Sequence, residues 1–350
     1  MRDFIFAAII FVFSFLIYIY PLNIVAYLLF DARLIQPIAI IPTTIIALTV
    51  FVYFKTHFTS SLLSAFIYYG MGIGFIGFSI FNIGLIAALI VPDFTREIGM
   101  LCFIAFVITC VKSILNGRYI HLKNIHITSP KIDKPTNLLF ISDVHLGSNS
   151  KQHFERICQT IDKLDYDFLL IGGDLFDSSA FDATDLNPLK AIEKPILFVT
   201  GNHEYYVKDH QAKVADLVNY NITILDNQSV QLDRLNIIGI SDNQTPKMQS
   251  EIARNLVCHK RFNLLMIHQP SIWDSAPHNT DLMLSGHTHN GQIFPFNLLV
   301  RLQFRTVYGI YKRLDSNLYV SSGSGTWGPK MRLGTRNEII QISILPRNLA

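Results

Sequence analysis

Hydrophobic positions dominate the first third of the chain in long blocks and then break into short bursts. The blocks run from Phe4 to Tyr20, continuing past Pro21 towards Phe30, then Ile38 to Phe54, Leu62 to Val91 and Ile98 to Leu115. Crossing the hydrocarbon core of a bilayer takes about 20 apolar residues in a helix. Each block reaches or approaches that length, so four transmembrane helices are predicted over residues 1–118. A cleaved signal peptide would show one short apolar region followed by soluble sequence, and here three further blocks follow. Gly70, Gly72, Gly74 and Gly77 in the third block allow close helix contact.

From about Asn137 the pattern changes to short apolar runs, the clearest being Leu138–Ile141, Phe168–Ile171, Ile196–Val199, Leu264–Ile267 and Leu282–Leu284. Each has the length of a buried strand and ends at polar or turn-forming residues. Helix-like segments such as Phe154–Leu164 and Gln211–Asn219 lie between them. Strands alternating with helices predict a layered α/β domain over 137–350, with 119–136 as a linker. Leu318–Ser321 and Glu338–Leu345 are expected to complete a second sheet.

Composition sharpens this division. Of the 350 residues, 50% are hydrophobic and only 16% charged, against about 25% charged in typical soluble domains. The net charge of +3, without a long Lys/Arg run, argues against a nucleic-acid partner. With four predicted spans, Arg2, Lys55, Lys112, Arg118 and Lys123 fall on one side and Arg33 and Arg96 on the other. The positive-inside rule then places the C-terminal domain in the cytoplasm, anchored to the inner membrane. Cys102, Cys110, Cys158 and Cys258 form no CxxC pair, which excludes a cysteine zinc site and fits a reducing compartment. Of the twelve histidines only His57 precedes residue 120, so metal or acid–base chemistry is expected in the back two-thirds.

The apolar runs end in one kind of chemistry: Asp143-Val-His145, Gly172-Gly173-Asp174, Gly201-Asn202-His203-Glu204, His268, and Gly286-His287-Thr288-His289. Carboxylates, imidazoles and an amide oxygen at strand ends suit two adjacent divalent ions of borderline hardness. A lone Asp-x-His is usually a solvated turn, and a lone histidine after a strand is usually a satisfied core residue. Five such motifs in order form a constellation.

The pattern DxH … GD … GNHE … H … GHxH resembles the calcineurin-like metallophosphoesterases. The resemblance implies a four-layer α-β-β-α sandwich with a dinuclear site at the strand ends, here preceded by the four-helix transmembrane domain. It implies that Asp143, His145 and His289 hold one metal, that Asn202, His268 and His287 hold the other, and that Asp174 bridges both. His203 would contact the phosphate and assist the leaving oxygen. Asp177 and Glu204 could orient the ligating histidines. Two ions would lower the pKa of a bridging water towards ~7, making the hydroxide that attacks phosphorus. Ligands without thiolate suit manganese, with iron or zinc as alternatives.

The run Gly286-His-Thr-His-Asn-Gly-Gln292, with Ser321-Ser-Gly-Ser-Gly-Thr-Trp-Gly328 and Arg332-Leu-Gly, is similar to the bacterial membrane-associated branch. That branch includes phosphodiesterases and the UDP-2,3-diacylglucosamine pyrophosphatases of lipid A biosynthesis. Asn290 departs from it where many relatives have a second glycine, which puts the local loop shape in question. The segment from Ile293 to Arg305 is apolar with Arg301 and Arg305 interspersed, as suits a segment at the surface of anionic lipid. A lipid-linked phosphate substrate is therefore the leading expectation. Phosphoesterase action on soluble nucleotides or phosphoproteins is the second. A membrane sensor or scaffold whose domain only binds ligand is the third.

Overall fold

The computed structural model describes residues 2–32, 36–56, 61–178 and 181–347, so Arg33 and His57 lie outside the described residues. The chain divides into two compact units, 1–115 with 328–333, and 116–327 with 334–350.

The first unit is helical: α1 (Arg2–Ser14), α2 (Tyr20–Phe30), α3 (Gln36–Thr56), α4 (Ser61–Ile90) and α5 (Thr95–Asn116). A π-helical turn, Phe15–Ile19, joins α1 to α2 just before Pro21. Proline has no amide to donate and its ring crowds the carbonyl four residues back, which favours a widened turn there. Among the described residues Phe4–Phe30, Leu62–Ile90 and Pro92–Asn116 are long and apolar enough to cross a membrane, and Ala39–Tyr53 is a shorter apolar helix. Gly74 lies against the main chain of Ile17, where any Cβ would overlap the Ile17 carbonyl oxygen. Small residues do permit close helix approach here. The Tyr18 hydroxyl donates to the Ile67 carbonyl at 2.7 Å, and the Tyr20 hydroxyl to Asn82 Oδ1 at 3.0 Å.

The second unit contains β1 (Ile120–Ser129), β2 (Thr136–Ile141), β3 (Phe168–Gly172), β4 (Ile196–Val199), β5 (Ile222–Ile224), β6 (Gln228–Leu232), β7 (Leu235–Ile240), β8 (Phe262–Ile267), β9 (Leu282–Ser285), β10 (Gly309–Arg313), β11 (Ser316–Val320) and β12 (Asn337–Pro346). They form two six-stranded sheets, in the orders β1-β12-β2-β3-β4-β5 and β10-β11-β9-β8-β7-β6. Alternate side chains of β2 go to opposite faces, as a strand requires. Leu138 and Phe140 join Leu170, Leu264, Met266 and Leu284 between the sheets. Leu139 and Ile141 face outward, towards Phe154, Ile157 and Ile161 of α6 (Lys151–Ile161). Beyond the outer face of the second sheet, Ala253 of α8 (Pro246–Leu256) packs with Ile238, Leu265 and Trp273. The shorter α7 (His210–Ala215) follows β4, and α9 (Phe296–Gln303) follows β9. The order helix, sheet, sheet, helix is the expected four-layer α/β arrangement.

Two expectations need correction. The stretch read as a linker carries β1, which pairs in parallel with β12 along its whole length. Alternation of exposed and buried positions from Asn124 to Ser129 makes it an edge strand with one wet face, a weaker signal than a continuous apolar run. The C-terminal strand β12 also belongs to the first sheet, between β1 and β2, and not to the second. Of the two, only β11, which covers Leu318–Val320 of the expected run, pairs in the second sheet.

Candidate metal centre

Strands β2, β3 and β4 are mutually parallel, as are β7, β8 and β9, so their carboxyl ends emerge together and the loops after them meet. The amides of Asp143 and His145 donate to the carbonyls of Gly173 and Asp174 at 3.0 and 2.9 Å, and Gly286 N donates to the His268 carbonyl at 2.9 Å. Gly325 N donates to the Asp143 carbonyl at 3.0 Å, laying the 321–327 run against the same loop. Asp143, His145, Asp174, His287, His289 and Asn290 all have positive φ. Non-glycine residues there cost energy and persist where the surroundings over-determine them, as at functional sites. Asparagine tolerates this region better than most residues, so Asn290, at φ 52, preserves a turn that glycine also serves.

Seven of the eight residues singled out from the sequence fall into three overlapping groups whose ligand atoms lie within 4.8 Å of one another: Asp143, His145 and His289; His145, Asp174 and His203; Asp174, His268 and His287. Asp174 is shared by two groups. Its Oδ2 lies 3.1 Å from His268 Nε2 and 3.8 Å from His145 Nε2. The eighth residue, Asn202, places its Oδ1 buried without a hydrogen-bond donor, as is Asp143 Oδ2. The Nε2 atoms of His145 and His289 face each other at 3.0 Å. Buried acceptors without donors are costly, and a cation relieves that cost, so these residues fit divalent metal ions.

The surrounding side chains fix which atoms face inward. Asp177 Oδ2 lies 3.1 Å from His145 Nδ1; a carboxylate accepts, so Nδ1 carries the proton and Nε2 turns inward with its lone pair. His268 Nδ1 donates to the Gly172 carbonyl at 2.9 Å, with the same consequence. Glu204 does something else. Its Oε1 accepts from the amides of Leu175 and Phe176 at 2.6 and 3.2 Å, and its Oε2 from those of Asp174 and Gly201 at 3.0 and 2.7 Å. Asp177 thus holds a ligand-candidate imidazole, whereas Glu204 clamps the β3 and β4 loops together. The repeated apolar-strand pattern points to the loops but not to which backbone groups they lend, and nothing in the GNHE motif itself distinguishes the two jobs. Asn149 carries no motif at all. Its Nδ2 donates to the carbonyls of Val144 and Thr326 at 3.0 and 2.7 Å, tying the 321–327 run to the first metal-site loop.

Electrostatics follow from burial. Burial alone would raise the Asp174 carboxyl, but His268, His145 and His203 hold it well below the usual carboxylate range. Burial, then His268, pushes His287 down to about 3, so its ring is neutral and its lone pair available. Burial also lowers His203, against the pull of Asp174. Burial and the Asp174 charge raise Glu204 to about 7, with the Gly201 and Phe176 amides pulling the other way.

The sequence profile of the calcineurin-like phosphoesterases matches residues 136–291. An uncharacterized metallophosphoesterase of Aquifex aeolicus is 30% identical over 256 residues, covering 66% of this chain and 97% of that protein. The chain belongs to the calcineurin-like metallophosphoesterases. An uncharacterized metallophosphoesterase of Helicobacter pylori is 36% identical over 242 residues, 65% of each chain. A Bos taurus protein named transmembrane protein with metallophosphoesterase domain is 29% identical over 282 residues, 71% of this chain and 64% of that one. The match thus spans about two-thirds of the length of the Helicobacter and bovine relatives.

Proposed function

We propose that this metallophosphoesterase is a membrane-anchored, metal-dependent hydrolase of a phosphoester or pyrophosphate bond in a lipid-linked substrate such as UDP-2,3-diacylglucosamine. Asp143, His145 and His289 would hold one ion, Asn202, His268 and His287 a second, and Asp174 both. Two divalent ions there supply Lewis acidity, lowering the pKa of water and offsetting charge on phosphoryl oxygens. Mixed nitrogen and oxygen donors suit manganese first, with iron or zinc as substitutes. His203, its side chain 17% exposed and its Nε2 4.0 Å from Asp174 Oδ2, is positioned to hydrogen-bond a phosphoryl oxygen and pass a proton to the leaving oxygen. Asp177 keeps the His145 lone pair aimed inward, and Glu204 holds the two loops that carry Asp174, Asn202 and His203.

The observation that carries the lipid part of the reading is the surface directly after the metal-site histidines. Phe294, Phe296, Leu298, Leu299 and Leu302 are exposed along α9 and its entry, Leu302 at 84%. Arg301 and Arg305 stand among them, Arg305 within 3.6 Å of Asp274. Exposed apolar residues beside basic ones on a short helix suit the interface of an anionic bilayer. Helices long and apolar enough to cross a membrane in the same chain support such a surface as the place of work. The excess of basic residues in the loops on one side of the predicted spans favours a catalytic domain on the cytoplasmic side of the inner membrane.

Release of UMP from UDP-2,3-diacylglucosamine by detergent-purified protein with added Mn²⁺, beside an Asp174→Ala control, tests the proposal. Metal-dependent release that the control loses supports it in full. Hydrolysis of bis-p-nitrophenyl phosphate without UMP release retains the hydrolase and rejects the substrate.

A further inference from the structure

Two aromatic side chains stand at the rim of the metal centre with their rings in water. Tyr206 is 71% exposed and Trp327 55%. Both take the His203 imidazole as an edge neighbour, Tyr206 at 5.3 Å between centroids and 68° between planes, Trp327 at 6.0 Å and 67°. Neither ring is in the hydrophobic clusters of the domain.

The main chain under these rings is firmly held. Trp327 N donates to Gln292 Oε1 and Gln292 Nε2 donates back to the Trp327 carbonyl, each at 2.9 Å. One residue earlier, Thr326 Oγ1 donates to Asn149 Oδ1 at 3.0 Å while Asn149 Nδ2 binds the Thr326 carbonyl at 2.7 Å. Asn149 and Gln292 are themselves buried. On the other side, Tyr206 closes the short turn Glu204–Tyr206, its amide donating to the His203 carbonyl at 3.0 Å. An indole left in water forgoes the stabilisation its burial would bring. An anchored backbone that presents one beside a catalytic-site imidazole is arranged for recognition.

We propose that Tyr206 and Trp327 form an aromatic subsite for a planar ring carried by the substrate, of the nucleobase class. His203 points to where the phosphoryl group would sit, and a base joined through a pentose stands one sugar's breadth from its phosphorus. Aromatic faces bind any base because every base offers a π-face, each stack contributing roughly tenfold in affinity. An acyl chain has no flat face to match, so the apolar helix α9 and this rim serve different parts of one ligand. The subsite rests on the phosphoester-hydrolase reading above and is independent of the lipid.

Two p-nitrophenyl diesters with the same leaving group separate the possibilities, thymidine 5′-(p-nitrophenyl phosphate) and methyl p-nitrophenyl phosphate, assayed with full-length Mn²⁺-loaded protein. The wild type is expected to favour the nucleoside ester in kcat/KM. That preference ratio should fall about tenfold in Trp327→Ala and in Tyr206→Ala, the size of one lost stack, and return in Trp327→Phe. Effects transmitted through His203 act on both esters and cancel in the ratio. A readout without turnover comes from the two tryptophans of the chain, Trp273 and Trp327, of which Trp273 is buried. UMP should quench the emission saturably, and Tyr206→Ala should raise the half-saturating UMP concentration about tenfold. A ratio unchanged in both alanine variants, or emission indifferent to UMP, overturns the subsite. A wild type that hydrolyses neither ester but is quenched by UMP sinks the hydrolase reading and leaves the subsite standing.

Discussion

Asp177 holds Oδ2 3.1 Å from His145 Nδ1 and accepts the amide of Ser148 with Oδ1 at 2.9 Å. Replacing it with alanine frees the imidazole to rotate or change tautomer. The Asp177→Ala enzyme should need about 10–100-fold more Mn²⁺ for half-maximal activity, read from a metal titration of bis-p-nitrophenyl phosphate hydrolysis. Glu204→Gln tests the clamp differently. Its amide nitrogen must face two backbone N–H donors, because each carboxylate oxygen now accepts two. A stability loss of about 1–3 kcal/mol follows from a buried clash of that kind, a drop on the order of 5 °C in the melting temperature of the purified protein. Gly173 has φ +88, and a Cβ there would come within 2.6 Å of His268 Nδ1 and 2.7 Å of Gly201 N. Gly173→Ala should therefore yield folded protein with at least a tenfold loss in kcat, or fail to fold, by circular dichroism. At this scale the sequence is informative where chemistry demands a residue type. Asp143, His145, Asp174, His268, His287 and His289 sit at strand ends that an apolar run announces. The jobs of Asn149 and Glu204 depend on main-chain groups brought in from other loops, which no local pattern displays.

At the level of elements, α9 is the piece whose surface matters most. Its apolar residues are legible in the sequence, but whether they face the interior or water depends on tertiary packing, and only the structure shows Leu299 and Leu302 outward. Leu299→Ser with Leu302→Ser should lower the ratio of activity on micellar UDP-2,3-diacylglucosamine to activity on bis-p-nitrophenyl phosphate by at least about tenfold, since fully burying even one leucine side chain contributes about 1.5–3 kcal/mol. An unaltered ratio would remove α9 from substrate capture. Strands covered on both faces, such as β2, β8 and β9, announce themselves as continuous apolar runs. The edge strand β1 does not, and the sheet to which β12 belongs cannot be read from its own residues, since either sheet would bury the same Ile339, Ile340 and Ile342.

For the molecule as a whole, bound ions and fold are linked. A ligand held only by the folded state adds about 2.7 kcal/mol at a hundred times its Kd. Chelation with EDTA should therefore abolish phosphodiester hydrolysis and lower the melting temperature, and Mn²⁺ should restore both. The helices that are long and apolar enough to cross a membrane predict that the chain stays with the membrane pellet after alkaline carbonate washing. The placement of β12 reaches further, into the order of synthesis. Its neighbours β1 and β2 are made far earlier, at 120–141, yet they stay apart until residues 337–346 slot between them. A nascent chain at that moment holds its long apolar helices and all seven candidate metal ligands, but the first sheet has a gap with two open edges, the kind of surface that pairs with other chains. Premature termination before Asn337 should thus leave membrane-inserted chains that are protease-sensitive and prone to aggregate. Quality control of this protein then falls on β12.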